Sequence, residues 1–427
     1  MSPHQVTVVF FPEGAYGPTN NCVGIGSILK KRGARVVFVV EESFAGTLAA
    51  KGFEETLIRL KPKPATEEQP GQFWKDFIRD TAPQFRKPTI EQLETFIQPV
   101  WKELTEGAKY VNTQLEETFA ELRPDVIVED NVVAFPAISS SRIPWVRIVS
   151  CNPLELKDPN LPPAFSGYPT TKPTGWDDFR QRYLDVHEDL QRSFSNFCTE
   201  VGAPPLPRGE FIWESPYLNL YLYPSVVDYQ RSRALSPRWQ RLDSCVRDTD
   251  EAFQVPPVLR GGEGKLIYLS LGSLGSADVE LMNRLVEVLA RSRHRVLISK
   301  GPQHELIRLA DNMWGSQFLP QTSILPQVDL VITHGGNNTV TECFHFGKPM
   351  ILLPLFWDQH DNAQRVHEVG YGVRFRTYDF EEREFLAAID RVLFDENLQQ
   401  RMSVVSSDLR AHPGTIKAAD LIEGLAR

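Results

Sequence analysis

The sequence is poor in cysteine, and no cysteine pair has the spacing of a metal or redox site. Its 427 residues include five cysteines, an odd number, which stand far apart in the chain. This pattern argues against a disulfide framework and is typical of a protein kept reduced in the cytosol. The nine histidines form no constellation of metal ligands, so we expect no metal site.

Long apolar runs and an excess of basic residues are also absent. No apolar stretch approaches the roughly 20 residues that span a bilayer, and residues 1–5 enter a strand-like stretch without a basic leader. We therefore expect a soluble, cytoplasmic protein with no signal peptide or membrane anchor. Lys and Arg number 46 against 55 Asp and Glu, a formal charge of −9. Partners that need clustered cations, namely nucleic acids and anionic membranes, are disfavoured.

Apolar runs and amphipathic stretches alternate along the chain in two blocks. This alternation predicts an α/β fold with two doubly wound, Rossmann-like parallel sheets facing each other across a cleft. We expect strands at 6–11, 35–40, 125–128, 145–149, 266–271, 295–299, 330–333, 350–354 and 373–375. Helices are expected at about 19–31 and 96–122, the second kinked or begun at Pro99.

Composition suggests where the two domains divide. Residues 247–264 carry charges, Pro256-Pro257 and Gly261-Gly262 with little periodicity, and form the best linker candidate. We predict a first domain at 1–246, whose residues from 152 to 245 add helices and loops, and a second at 265–405. Residues 406–427 are expected to form a helix that packs back on the first domain.

The densest group of candidate site residues surrounds a glycine turn after the strand at 330–333. The turn His334-Gly-Gly-Asn337 leads into a helix that Asn338 or Thr339 is expected to cap. A strand–turn–helix junction offers free backbone N–H groups to an anion and suits a phosphate or diphosphate. His334 could donate to a phosphate oxygen, and Glu342, one helical turn on, could accept from paired ribose hydroxyls.

A turn of this kind can also be a simple connection between a strand and a helix that binds no ligand. What favours a ligand site is the joint occurrence of polar groups at consecutive strand ends over about forty residues. The run from Phe318 to Gln359 resembles the signature of the family 1 UDP-glycosyltransferases, nucleotide-sugar transferases with the two-domain GT-B fold. In that family the C-terminal domain holds the UDP-sugar and the N-terminal domain holds a small, mostly apolar acceptor.

The resemblance implies a role for each donor-side residue. Phe318 would stack on uracil, and Gln321 and Glu342 would take the ribose hydroxyls. The diphosphate would be held by His334, Gly336, Asn338, Thr339 and Ser273. Asp358 and Gln359 would bind sugar hydroxyls, and a glutamine there resembles the members that prefer glucose. The family often has tryptophan where this chain has Asn337, so packing around the sugar or acceptor is expected to differ.

The first domain departs from the family at the catalytic base. Members usually carry a histidine in the loop after the first strand, but that position is Pro18 here, and no histidine lies between Gln5 and Val186. The aspartate that partners this histidine remains as Asp130. We expect Asp130 to take the acceptor proton directly or through a water held by Asn20, with Glu13 as the reserve candidate. The acceptor is placed near Pro18, Thr19 and Ser150.

The resemblance implies an inverting, UDP-glucose-dependent O-glycosyltransferase of detoxification type. Small lipophilic acceptors such as flavonoids, other plant phenolics or xenobiotics are expected, because a phenol loses its proton more readily than an aliphatic alcohol. An aromatic cluster could wall the acceptor pocket, although such clusters are usually core: Phe73, Trp74, Phe77, Phe85, Phe96, Trp101, Phe165 and Tyr168. UDP-glucose is the only co-substrate expected, with no cofactor, and the chain is expected to be a monomer.

Two other functions stay open at this point. The loss of the histidine at Pro18 fits a catalytically silent protein that binds nucleotide sugars or aglycones. A GT-B enzyme of another kind, such as a UDP-sugar epimerase, would consume the sugar nucleotide without any acceptor. An acceptor screen with UDP-glucose separates these readings.

Overall fold

The first half of the chain forms a parallel sheet of seven strands. The structure is a computed structural model that describes residues 5–62, 80–247 and 251–426. The strands stand side by side in the order β3-β2-β1-β4-β5-β6-β7. Their bounds are β1 Thr7–Pro12, β2 Arg35–Glu41, β3 Glu54–Ile58, β4 Val126–Asp130, β5 Trp145–Val149, β6 Leu218–Leu222 and β7 Trp239–Leu242.

The second half forms a parallel sheet of six strands with the same kind of order, β10-β9-β8-β11-β12-β13. These strands are β8 Leu266–Ser270, β9 Arg295–Ser299, β10 Met313–Ser316, β11 Leu330–Thr333, β12 Met350–Leu352 and β13 Gly372–Arg374. In both sheets the strand order reverses beside the first strand of the half. Ligands of such sheets bind at that switch point, outside the carboxyl ends of the strands.

Helices cover both faces of each sheet. In the first half they are α1 Tyr16–Lys31, α2 Thr89–Gln92, α3 Gln98–Leu122, α4 Pro136–Ser140 and α5 Trp176–Glu200. In the second they are α6 Gly272–Gly275, α7 Val279–Leu289, α8 Gln321–Ile324, α9 Asn337–His345, α10 Gln359–Glu368, α11 Glu382–Leu393, α12 Glu396–Ala411 and α13 Gly414–Leu425. None of the helices in the described ranges is long and apolar enough to cross a bilayer.

Continuous apolar runs form the central strands because both of their faces are covered. In β1, Val9 and Phe11 point into one core, and Val8 and Phe10 point into the core on the opposite face. All six residues of β1 are buried. The parallel α/β architecture predicted from these runs is confirmed.

Several details of the sequence prediction are wrong, and it omits the strands β3 and β10. The segment 152–245 contains two strands, β6 and β7, as well as the helices and loops expected. Helix α1 begins at Tyr16, one turn earlier than predicted, so Pro18 is its third residue. Proline is tolerated there because the first N–H groups of a helix have no intrahelical partner. The last helix begins at Gly414, and residue 406 lies inside α12.

The final helix returns to the first sheet. Ala418, Ala419 and Ile422 are fully buried in the same apolar core as Cys22 and Ile25 of α1. At the surface, Arg32 at the end of α1 pairs with Asp420 and Glu423, at 2.8 and 3.0 Å. The end of the chain is thereby packed on the half that contains its beginning.

Candidate functional site

The glycine turn after β11 presents the head of α9 to the cleft. Gly335 has φ +86°, a conformation that favours glycine. Gly336 is the N-cap of α9, and no side chain caps the helix. The expectation that Asn338 or Thr339 caps it is wrong, because the helix begins at Asn337 and both residues lie in its first turn. The N–H groups of that turn are the ones an anion would bind.

His334 is held between two glycines at this turn. A Cβ atom added to Gly272 would lie 2.8 Å from His334 Cε1, and one added to Gly336 would lie 2.5 Å from Nε2. Only residues without a side chain allow the imidazole this position. Burial lowers the pKa of His334 to about 4, so the ring is neutral at pH 7. Ser273, one residue beyond Gly272, lies partly exposed in α6.

Three of the expected nucleotide ligands form one hydrogen-bonded group. Gln321 Nε2 donates to Glu342 Oε2 at 2.6 Å and to Thr339 Oγ1 at 3.2 Å. Glu342 also accepts from an Arg247 guanidinium nitrogen, 3.0 Å from its Oε1. Glu342 is buried, whereas Phe318, proposed to stack on the base, is half exposed.

The two residues expected to bind sugar hydroxyls bind backbone groups here. Asp358 Oδ2 accepts from the backbone N–H of Asn152 in the first half, at 2.9 Å, and burial raises the pKa of this carboxyl to about 7. Gln359 Oε1 accepts from the N–H groups of Leu355 and Phe356. Asp358 therefore lies where the two halves meet.

The head of α9 is joined directly to the strand ends of the first sheet. Asn337 Nδ2 donates to the carbonyl oxygens of Ser150, after β5, and of Leu222, at the end of β6, both at 2.9 Å. Asn338 Nδ2 donates to Gly17 O in the first turn of α1 at 3.4 Å. Asn337, where the family often has tryptophan, is thus a contact between the halves.

Asp130 and Ser150 meet at the strand ends of the first sheet. Ser150 Oγ donates to Asp130 Oδ1 at 2.8 Å, and Asp130 is only 3% exposed. Burial raises the pKa of Asp130 to about 8. Within the described residues, its Oδ2 is buried and has no hydrogen-bond partner. Thr19 is buried, whereas Pro18 and Asn20 are partly exposed in the first turns of α1.

Further carboxyl groups surround Asp130. Glu13, directly after β1, donates its backbone N–H to Asp130 O at 2.9 Å. Burial raises the pKa of Glu13 and of Glu155 to about 7. The charges of Glu13, Asp130, Glu155 and Asp358 all act on the Cys151 thiol. Four acidic side chains therefore share a small region between the sheets.

A small apolar cavity of about 20 Å³ adjoins Glu13. Three of the lining residues carry polar side-chain groups: Glu13, Glu41 and Asn131. The rest of the lining is mostly apolar: Phe11, Pro12, Gly14, Ile58, Leu60, Leu104, Val132, Val133 and Phe135. Its lining is apolar, and its space has room for about one water molecule.

The aromatic cluster expected to wall the acceptor pocket is filled by the second half. Phe356 packs on Phe85 and Phe96, with ring centroids 4.8 and 5.2 Å apart. Trp357 packs on Trp101 and Phe165, at 5.2 and 4.7 Å. Phe73, Trp74 and Phe77 lie outside the described residues. The described aromatic residues of the cluster are core, and the cavity lies beside β1 instead.

Comparison with known proteins shows which proteins the chain is similar to. The family described as UDP-glucoronosyl and UDP-glucosyl transferase matches residues 244–415, which span the second sheet and the whole turn around His334. The second half of the chain is thus similar to this glycosyltransferase family. It is 22% identical over 436 residues to the NDP-glycosyltransferase YjiC of Bacillus subtilis (strain 168), covering 100% of this chain and 98% of that protein.

Solved glycosyltransferases share the fold along the whole chain. The glycotransferase of kitacinnamycin superposes with a TM-score of 0.70 at 22% identity, covering 99% of both chains. The glycosyltransferase VinC, solved in complex with DTDP, gives 0.66 at 15% identity and covers 99% of both chains. The GT-B fold predicted for this glycosyltransferase is confirmed.

Sequence reasoning missed Arg247 and Asn152 of this glycosyltransferase. Arg247 is the first residue of the predicted linker and contacts Glu342, 95 residues away, while Asn152 contacts Asp358 across 206 residues. Neither residue belongs to a motif, so the single sequence carries no signal for either contact. Among the described residues, no group of three or more His, Cys, Asp or Glu side chains could hold a metal ion.

Proposed function

We propose that this glycosyltransferase moves glucose from UDP-glucose to a hydroxyl of a small lipophilic, phenolic acceptor, with inversion at the anomeric carbon. The proposal rests on one observation: an expected anion site and an apolar cavity meet where the two halves join. The head of α9, with its glycine turn and free N–H groups, is bonded through Asn337 to Ser150, beside Asp130, and through Asn338 to Gly17 in the first turn of α1. The apolar cavity opens at those same strand ends.

The donor half supplies binding and charge stabilisation. Phe318 provides a surface for uracil, and Glu342 with Gln321 provides an acceptor and a donor for ribose hydroxyls. The diphosphate lies at the N–H groups of Gly336, Asn338 and Thr339, near neutral His334 and Ser273. Fixed dipoles of this kind stabilise the negative charge that develops on a departing diphosphate. Asp358 and Gln359 position the sugar.

The reaction needs a proton acceptor in place of the family's histidine. The acceptor oxygen attacks the anomeric carbon, the bond to the diphosphate breaks, and UDP leaves with the electron pair. The acceptor proton passes to a carboxylate of the group formed by Asp130 and Glu13. Orientation of two reactants lowers the barrier by on the order of 7–11 kcal/mol. This effect is larger than the rate gain of roughly 100- to 10,000-fold that a general base provides. A phenol ionises with a pKa of about 10, so it gives up the acceptor proton more readily than an aliphatic alcohol does.

An acceptor screen tests the proposal. The protein is incubated with UDP-glucose and a panel of flavonoids and simple phenols, and products are read by mass spectrometry. We expect a mass increase of one hexose and release of UDP, with a second arm using dTDP-glucose to compare nucleotides. Binding of UDP without glycoside from any phenol would favour the silent binder. Consumption of UDP-glucose without an acceptor would indicate an epimerase or another reaction.

A further inference from the structure

Two asparagine side chains, one from each half, connect the glycine turn to the strand ends of the first sheet. Asn152 follows β5 in the first half, and Asn362 lies in α10 of the second half, one helical turn after Asp358. Both asparagines are buried. Asn152 Nδ2 donates to Asn362 Oδ1 at 2.8 Å. We call these two residues the amide pair.

Asn362 connects two parts of the expected donor site. Its Nδ2 donates to Gly335 O in the glycine turn at 3.0 Å and to Asp358 Oδ2 at 3.2 Å. Because Asn362 Oδ1 accepts from Asn152, the amide presents its N–H groups to the turn and to the carboxyl. One buried side chain therefore fixes the glycine turn and Asp358 relative to each other.

Asn152 fixes the same group from the first half. Its backbone N–H donates to Asp358 Oδ2 at 2.9 Å, the oxygen that Asn362 also contacts. Its side-chain Oδ1 accepts from the Leu154 N–H at 2.9 Å, so Nδ2 is the atom that faces Asn362. Asn152 Nδ2 has a second acceptor, Tyr223 Oη, at 3.2 Å. The orientation of both amides is thus set by their hydrogen-bond partners.

Burial makes this arrangement depend on the contact between the halves. A buried donor or acceptor that loses its partner is left desolvated without compensation, which is unfavourable. Without Asn152, the Asn362 amide would lose the partner of its Oδ1 and with it the bond that fixes its orientation. The turn and Asp358 therefore keep their relative position best while the loop after β5 is in place.

We propose that the amide pair positions the glycine turn for a nucleoside diphosphate, so that Asn152 of the first half sets the nucleotide affinity of the second half. Both asparagines are positioning residues, since they act through Gly335 and Asp358. The inference rests on the proposed function, because it takes UDP as the ligand of the turn. Coupling between two sites is reciprocal, so bound UDP in turn strengthens the contact that holds the loop after β5.

Calorimetric titration of UDP into the wild type, Asn152→Ala, Asn362→Ala and the double variant tests the proposal. Asn152→Ala lies in the other half, yet we expect it to raise the Kd for UDP at least about fivefold, the low end for coupling between two sites. Asn362→Ala should raise the Kd at least as much. The double variant should bind no more weakly than Asn362→Ala, because Asn152 acts through Asn362.

Tyr223→Phe is the matched control. It removes the other acceptor of Asn152 Nδ2 and leaves the bond to Asn362, so the Kd for UDP should stay that of the wild type. Steady-state rates with a phenol separate positioning from a loss of folded enzyme. We expect Asn152→Ala to raise the KM for UDP-glucose, whereas fewer folded molecules would lower kcat alone.

An unchanged Kd for UDP in Asn152→Ala would overturn the proposal, as would losses that simply add in the double variant. If the wild type binds UDP, such results refute only the role of the amide pair. A wild type that does not bind UDP removes the proposed function and this inference together. Should Asn362→Ala fail to fold, the comparison of Asn152→Ala with Tyr223→Phe decides, and equal Kd values in those two variants would refute the amide pair.

Discussion

Arg247 neutralises the carboxylate of Glu342, which lies near the expected diphosphate site. Glu342 is buried, and its two oxygens accept from Arg247 and from Gln321. Without the guanidinium, a buried negative charge would face an anionic ligand. Burying a charge without a partner is unfavourable, so the pair makes Glu342 compatible with the nucleotide. Each carboxylate oxygen keeps a lone pair for a ribose hydroxyl.

Arg247→Ala is therefore expected to weaken UDP binding. Truncating one partner of a buried, hydrogen-bonded charge pair costs about 2–5 kcal/mol, and Arg247 is partly exposed, so we expect the low end, roughly a 30-fold rise in Kd. Titration calorimetry with UDP measures it. Arg247→Lys keeps the charge and should recover part of the affinity. An Ala variant that binds UDP as tightly as the wild type would contradict the role.

Gly336→Ala is expected to disrupt the turn that holds His334. The new Cβ would lie 2.5 Å from His334 Nε2, and Gly272 closes the other side of the ring, so the imidazole cannot yield without leaving its site. Loss of UDP binding and a lower melting temperature should follow. Gly424→Ala is the matched control, since nothing lies within 4 Å of its added Cβ. Unaltered UDP affinity in Gly336→Ala would show that the turn does not bind the nucleotide.

Candidate site residues could be grouped from the sequence where their type and order indicate a chemistry. Gln321, the glycine turn with His334, and Glu342 follow one another along the chain, and the structure joins Gln321 to Glu342 by a hydrogen bond. Contacts of Arg247 and Asn152 depend on how distant segments meet in three dimensions. The aromatic cluster was ambiguous for the same reason, because only the fold shows that Phe356 and Trp357 fill it.

Among the elements, strands with continuous apolar runs were found and short or polar ones were missed. Strands β5, β9 and β11 have the predicted bounds. Strand β3 alternates charged and apolar residues (EETLI), and β7 has four residues (WQRL). Edge strands bury less surface, so their sequences carry less of the apolar signal that identifies a strand.

The final helix is expected to contribute to the stability of the first half. Ile422→Ala removes a fully buried side chain between α13 and α1, and such truncations cost about 2–5 kcal/mol. Denaturant unfolding measures the loss. Ile416→Ala, in the same helix but 41% exposed, should change stability far less. Equal effects of the two substitutions would mean that α13 is not packed as described.

At the scale of the whole molecule, buried carboxyl groups make stability depend on pH. Burial raises their pKa values, to about 7 or about 8, for Glu13, Glu129, Asp130, Glu155, Asp358 and Asp361. In the unfolded chain these groups release their protons at lower pH. At pH values between the unfolded and the folded pKa, the folded state binds more protons than the unfolded chain. The free energy of unfolding therefore falls as pH rises toward about 8.

Buried histidines act in the opposite direction at lower pH. Burial lowers the pKa of His334 to about 4 and that of His360 to about 3, from the ordinary 6.5. The unfolded chain binds their protons first, so their contribution is lost as pH falls below 6.5. Between pH 6.5 and 8 the pH dependence of stability therefore comes almost entirely from the carboxyl groups.

We expect the melting temperature to fall by a few degrees from pH 6.5 to 8 and then to level off. Differential scanning calorimetry measures the profile. Glu129→Gln removes one of the buried groups and should flatten the fall, whereas the exposed Glu117→Gln should leave it unchanged. A melting temperature that rises across this window would contradict the ionisation described here.

The return of α13 to the first half means that the polypeptide passes between the two lobes twice. A protease cut in the 251–264 segment would leave the lobes tethered, because the C-terminal fragment carries a helix that belongs to the other lobe's interior. The second half is therefore attached to the first at both of its ends, and a nicked protein should still run as one particle.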